Sequence, residues 1–213
     1  MNGISGPAPV PFGMLTGSMK VIDGDYVKAD DEWDELVRVW EQTDVPKGCK
    51  VEIIEGLITV TPRSPNAHHY IAGRIQRRLY EVIREHWGIY QRLGAAVPSR
   101  LGLYVPDLLV VPEEELSGDD CFIPAGEAEL VMEITSKATA ANDRTHKAAG
   151  YAAAGIPLYL LIDSLTPDGP TITLYGEPKG DHYRPLGTAK FGEALKLPAP
   201  FDLVIDTSEF PGD

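Results

Sequence analysis

Cationic charge is what this chain is shortest of: 19 Lys and Arg stand against 32 Asp and Glu, a formal net charge of -13. That balance excludes wholesale electrostatic binding of nucleic acid or anionic membrane, so any nucleic-acid site has to be local. Cysteine is nearly absent. Cys49 and Cys121 are far apart and lack metal-ligand spacing, which excludes a disulfide framework and reads both as packing residues in a reducing cytoplasm. No run reaches ~18 apolar residues, and residues 1–20 hold no apolar segment of signal-peptide length. A soluble, unexported protein without a membrane part is expected. What is present, 213 residues at 43% hydrophobic content, suffices for one domain with a substantial core. A Gly- and Pro-rich arm at 1–24 is expected to be flexible, leaving a single domain at 25–213.

Along that domain, Trp33, Leu36, Val37 and Trp40 recur at helical spacing and predict an amphipathic helix. "KVEIIEGLITVTP" predicts a hairpin turning at Glu55 and Gly56. From Asn66 to about His86 an apolar arc, Ile71 to Ile83, predicts a second helix. Its opposite arc carries Arg74, Arg77, Arg78 and Arg84, which read as a solvated face because Glu81 and Glu85 can pair with them. His68 falls on the inward arc, as a hydrogen-bonded core histidine or a ligand. Strands are expected at 89–97, 103–111 and 129–135, with an acidic loop at 112–128. A helix from about Asn142 to Ala154, capped by Asn142 or Asp143, leads through Gly155 into the strand "IPLYLLID". Strand, helix and strand at 129–163 predict a crossover unit and a parallel pair. An edge hairpin and a polar, Pro-punctuated C-terminus complete the chain.

The chemistry concentrates between Val105 and Ser136. Asp107 and Glu133 are each set in branched aliphatics, where an unpaired carboxylate is expensive to bury and calls for a cation or a donor. If their strands are adjacent, the two acids and the backbone carbonyl of Ile134 offer hard oxygen ligands to Mg²⁺ or Mn²⁺. Such an ion activates water for attack on phosphorus. Asp143, Lys147 and Tyr151, four residues apart, share one helix ridge. Facing the metal ligands, Lys147 is expected to have a lowered pKa and to position the nucleophile. The blander alternative is a surface Lys147 with Asp143 as a cap.

The runs "PDLLVV", "ELVMEITSKAT" and "DRTHKAAGYAAAGIPLYLLID" together resemble the Uma-type restriction endonucleases of the PD-(D/E)XK nuclease superfamily, over about residues 30–208. The resemblance implies an α/β, restriction-endonuclease-like fold, a mixed central sheet flanked by helices, with metal held by Asp107 and Glu133. It also places the family glutamate at Glu52 and the family histidine at His68, which is expected near Glu52 or the metal-bound water. Thr135 stands where the superfamily usually has its lysine. The resemblance moves that cation to Lys147, with Lys137 as the nearby competitor. The implied function is Mg²⁺-dependent cleavage of DNA, by analogy as a homodimer. The alternative is a catalytically silent nuclease-like module for binding or scaffolding, which the net negative charge favours.

Overall fold

The computed structural model describes residues 29–117 and 120–211; the arm expected at 1–24 lies outside them. The predicted cap helix is α1 (Ala29–Gln42). The hairpin is β1 (Lys50–Ile54) and β2 (Leu57–Thr61), turning through Glu55 and Gly56 with positive φ at both, the conformation that tight hairpins favour. Helix α2 (Asn66–Tyr80) stops short of His86. Val82 and Ile83 extend its apolar arc in sequence, but both sit in a tightened turn bonded back to Leu79 and still pack on the core.

Two expected strands each divide in two. Residues 89–97 become β3 (Trp87–Tyr90) and β4 (Gly94–Val97), broken near Arg92, where φ is positive. Residues 103–111 become β5 (Gly102–Tyr104) and β6 (Leu108–Pro112), broken at Pro106, which has no N–H to give a ladder. At each break the chain changes sheets. The strands β2-β1-β5-β4 and β7 (Phe122–Pro124) form a five-stranded sheet. So the expected acidic loop contains a strand, β7, paired parallel with β4.

The second sheet is mixed. It joins β3 and β6 to β8 (Leu130–Ile134), β9 (Leu158–Asp163), β10 (Thr171–Lys179) and β11 (His182–Lys190), in the order β11-β10-β9-β8-β6-β3. As predicted, β8 and β9 run parallel, joined by a helix at 140–153, and β10–β11 is the edge hairpin. That helix begins at Ala140 and contains a π-helical turn at Asp143–Lys147. Neither Asn142 nor Asp143 caps it. The C-terminal stretch is less polar than its composition suggests. Around the hairpin of β12 (Ala194–Lys196) and β13 (Val204–Asp206), Leu195, Leu197, Phe201, Leu203 and Ile205 are buried against α2 and the six-stranded sheet.

The layers follow from strand alternation. On β8, Leu130, Met132 and Ile134 face α2, while Val131 and Glu133 face the other sheet and the helix 140–153. On β1, Ile53 packs under α1, and Ile54 joins the core between the sheets. In this middle layer the rings of Tyr104 and Tyr151 meet edge to face at 5.3 Å. Gly150 lies directly against Tyr104, and an added Cβ would overlap the ring. Gly150→Ala is therefore expected to destabilise the protein by ~1–3 kcal/mol, as overpacking does, read from the urea midpoint. An unchanged midpoint would show that Tyr104 can move aside.

Candidate active site

The site is assembled where β5 ends. Past Tyr104 the ladder cannot continue through Pro106, so the peptide groups of Val105 need other partners. Side chains from β1 supply them. Lys50 and Glu52 are two residues apart on a strand and share its inward face. Glu52 Oε1 accepts the Val105 N–H at 2.8 Å, and Lys50 Nζ donates to the Val105 carbonyl at 3.0 Å. Asp107 follows. Its N–H donates to Met132 O at 3.1 Å, and its Oδ2 accepts the Ile134 N–H at 2.8 Å, closing the end of the β6–β8 ladder. Its Oδ1 lies 2.9 Å from His68 Nε2. Burial alone would raise its carboxyl, but the His68 hydrogen bond and the Lys50 charge hold it below the usual range.

Glu133 lies one layer deeper. Continuing the register that pairs Leu108 with Met132 sets it across from Asp107. Its Oε1 accepts from Tyr151 Oη at 2.6 Å and from Lys147 Nζ at 3.0 Å. Lys147 is wholly buried, and its Nζ also lies 2.8 Å from Glu52 Oε1 and 3.2 Å from Asp143 Oδ1. The ridge of Asp143, Lys147 and Tyr151 thus faces Glu133. Burial pushes the Glu133 carboxyl up to about 8, with Asp143 and Asp107 adding to the rise against Lys147 and Lys50. For Lys147, burial works downward, but Glu133, Glu52 and Asp143 outweigh it and hold the ammonium well above its ordinary value. This is opposite to the lowered pKa expected from the sequence: the three acids around Lys147 favour its charged form.

Above the cluster opens a cleft of about 920 Å³. Lys50, Arg63, Arg92 and Lys137 are among its lining residues, and among the described residues Asp107 is the only carboxylate there. His68 and Ile134 also line it, whereas Glu52, Glu133 and Lys147 lie beneath its floor. The structure therefore brings Glu52, Glu133 and Lys147 into one cluster and seats His68 on Asp107, not on Glu52. Lys137 is exposed. Thr135 turns its hydroxyl to Asp163, which Arg144 holds through two hydrogen bonds. Cys121 is exposed and does not pack as expected. Sequence reasoning missed Lys50, although its place two residues before Glu52 in a β-branched run was a usable signal.

The family described as "Uma2: Putative restriction endonuclease" matches residues 33–208. The chain belongs to this family. A crystal structure titled as a putative nuclease from Anabaena variabilis ATCC 29413 is 18% identical, with a TM-score of 0.61. The match covers 84% of this chain and 96% of that one, and shows that the two share a fold. No curated protein matches the chain.

The donor set of this Uma2 chain suits a hard divalent cation. Among the described residues, no three His, Cys, Asp or Glu side chains converge as a ready cage, but Mg²⁺ commonly takes one or two carboxylates and keeps several waters. Three buried carboxylates, Glu52, Glu133 and Asp143, surround one buried ammonium. Glu52 Oε2 has no hydrogen-bond donor and lies 3.4 Å from Lys50 Nζ. A further cation would relieve this surplus of negative charge.

The same surplus sets a pH dependence. Between the ordinary carboxyl value of 4.5 and about 8, folded Glu133 keeps a proton that the unfolded chain has lost. Its contribution to stability therefore falls as pH rises through that window. Asp143, also raised by burial, acts in the same direction. Glu52 and Asp107 are lowered, so their contribution is present throughout the window and is lost only at more acid pH. Lys147 is raised, and its contribution is constant there. Without metal, Glu133→Gln is expected to lift the urea midpoint more at pH ~8 than at pH ~5. Parallel midpoint curves for variant and wild type across that range would contradict a raised Glu133.

Proposed function

We propose that this protein is a divalent-metal-dependent phosphodiester hydrolase that cuts DNA. One observation carries the reading: in a chain of net charge -13, a cleft lined by cations opens directly over a buried carboxylate cluster. A polyanionic strand is drawn to such a cleft against the net negative charge of the chain. Asp107 and Glu133, with the carbonyl of Ile134, would hold Mg²⁺ or Mn²⁺. When bound, that ion supplies a polarised phosphate oxygen and a water of lowered pKa.

The chain's own residues prepare this site. Lys147 and Tyr151 fix the Glu133 carboxylate, and His68 and the Ile134 N–H fix that of Asp107, so neither acid needs to reorient. Glu52 completes the cradle by tying Lys147 to the Val105 peptide. The overall reaction joins a water oxygen to phosphorus and breaks one P–O bond, with one proton leaving the water and one reaching the departing oxygen. A homodimer in the cytoplasm, each copy cutting one strand of a duplex, is the assembly this reading implies.

The alternative, a module that binds DNA without cutting, draws on the position of Glu133 and Lys147 beneath the cleft floor. Metal separates the two readings. Incubated with plasmid DNA and Mn²⁺ or Mg²⁺, the wild type should nick or linearise it, and EDTA should stop the reaction. Asp107→Asn and Glu133→Gln should each lower the rate by ~10² or more and weaken Mn²⁺ binding in titration calorimetry. Wild-type affinity for Mn²⁺ in both variants, with no cleavage by any form, leaves the binding module as the reading.

Lys147→Met should behave differently. It strands three buried carboxylates without their cation, so it should lower stability by ~3–5 kcal/mol, read from the urea midpoint. A variant as stable as the wild type would mean that the cluster neutralises itself by taking up protons.

A further inference from the structure

If the cleft receives a phosphodiester, some cation must meet it, and Lys147 is badly placed to do so. It is wholly buried, its Nζ is shared among three carboxylates, and it does not line the cleft. Lys137 lines the cleft but makes no hydrogen bond or ion pair among the described residues. Arg63 is occupied by the Lys47 carbonyl, which it holds through two hydrogen bonds. Lys50 differs from these three and from Arg92, which is exposed and donates to the Cys49 carbonyl at 3.4 Å. It lines the cleft, its side chain is only 18% exposed, and its Nζ lies 3.4 Å from Glu52 Oε2, at the rim of the buried cluster. It joins cluster to cleft.

We infer that Lys50 is the cation that contacts the phosphate of the bound strand, a role the missing strand lysine leaves open and Lys147 cannot fill. The inference rests on the phosphodiesterase reading of this cleft. The Nζ makes one hydrogen bond, to the Val105 carbonyl at 3.0 Å, and an ammonium has three donors to give. The Val105 contact aims the side chain. Val105 is followed by Pro106 and Asp107, so the bond that steadies Lys50 sets its charge beside the proposed metal ligand. Strand geometry fixes the order: Lys50 at the mouth, Glu52 below it, and Ile54 in the inter-sheet core.

A purely structural Lys50 would do no more than tether Val105, and the test has to separate tether from charge. Lys50→Gln keeps a donor for the Val105 carbonyl and removes the charge. Lys50→Arg keeps both. Lys179→Gln, on the exposed end of the β10–β11 hairpin, changes net charge equally outside the cleft. Binding of a fluorescent duplex oligonucleotide is followed by anisotropy over a series of salt concentrations, and plasmid cleavage with Mn²⁺ is measured alongside.

Lys50→Gln is expected to reduce the slope of log K against log salt by about one, and Lys50→Arg and Lys179→Gln to leave it near the wild-type value. Cleavage by Lys50→Gln is expected to fall ~10²–10³-fold and to recover in part in Lys50→Arg. A Lys50→Gln protein with the wild-type slope overturns the inference, whatever happens to cleavage. A wild type that binds but never cuts, with the slope still reduced in Lys50→Gln, overturns the hydrolase reading and keeps the phosphate contact. A circular dichroism melt checks that each variant is folded.

Discussion

A single ammonium shared among three carboxylates is the constraint on which the rest of this structure depends. Lys147 Nζ joins Glu52 from the five-stranded sheet, Glu133 from the six-stranded sheet and Asp143 from its own helix. Three layers meet at one atom. Ion pairs buried this deeply seldom improve on a well-packed apolar core, because taking the charges out of water offsets their attraction. A cluster that is also short of positive charge is worse than neutral for stability. Packing alone would be better served by leucine and valine, so its presence in the middle of an otherwise apolar layer is what the hydrolase reading proposed above would require.

The second constraint is the missing N–H of Pro106. Because the ladder must stop there, the chain leaves one sheet and enters the other within the three residues 105–107. The peptide groups freed by that crossing recruit Lys50, Glu52 and the backbone around Ile134. Asp107 is thus held at the junction of the two sheets by interactions that the crossing itself demands. A strand running unbroken from Leu103 to Val111 would have carried Asp107 into the interior of a ladder, with neither His68 nor the cleft beside it.

How much of this was legible in the sequence depends on how local each signal is. The hairpin at Glu55 and Gly56, the parallel crossover into "IPLYLLID" and the inward ridge of Asp143, Lys147 and Tyr151 all follow from short-range periodicity, and all are in the structure. The sheet changes at Arg92 and Pro106 were not legible, because an apolar run buried on both faces reads the same whichever sheet each half joins. The C-terminal hairpin was hidden by its charged and proline residues. Its apolar positions are interrupted by Pro198, Pro200 and charged residues, and only the tertiary fold shows that they close the α2 side of the core. The direction of the Lys147 pKa shift was beyond reach for a related reason. Spacing puts a side chain on a face, but the number of acids that converge on it depends on three separate segments.

The acidity of the chain and its cationic cleft are two sides of one electrostatic design. A uniformly basic surface would bind any polyanion along its length, and most of that affinity would be unrelated to the site. With 32 acids over the whole chain and cations such as Lys50, Arg63, Arg92 and Lys137 collected along one cleft, the hydrolase reading would have a phosphate attracted locally, beside Asp107. The field around the molecule then discriminates by depth. A polyanion that enters the cleft would meet several cations close together, where each interaction is stronger than in bulk water. Net charge and local charge thus point in opposite directions, and under the hydrolase reading proposed above that contrast would favour the cleft as the place where a phosphate enters.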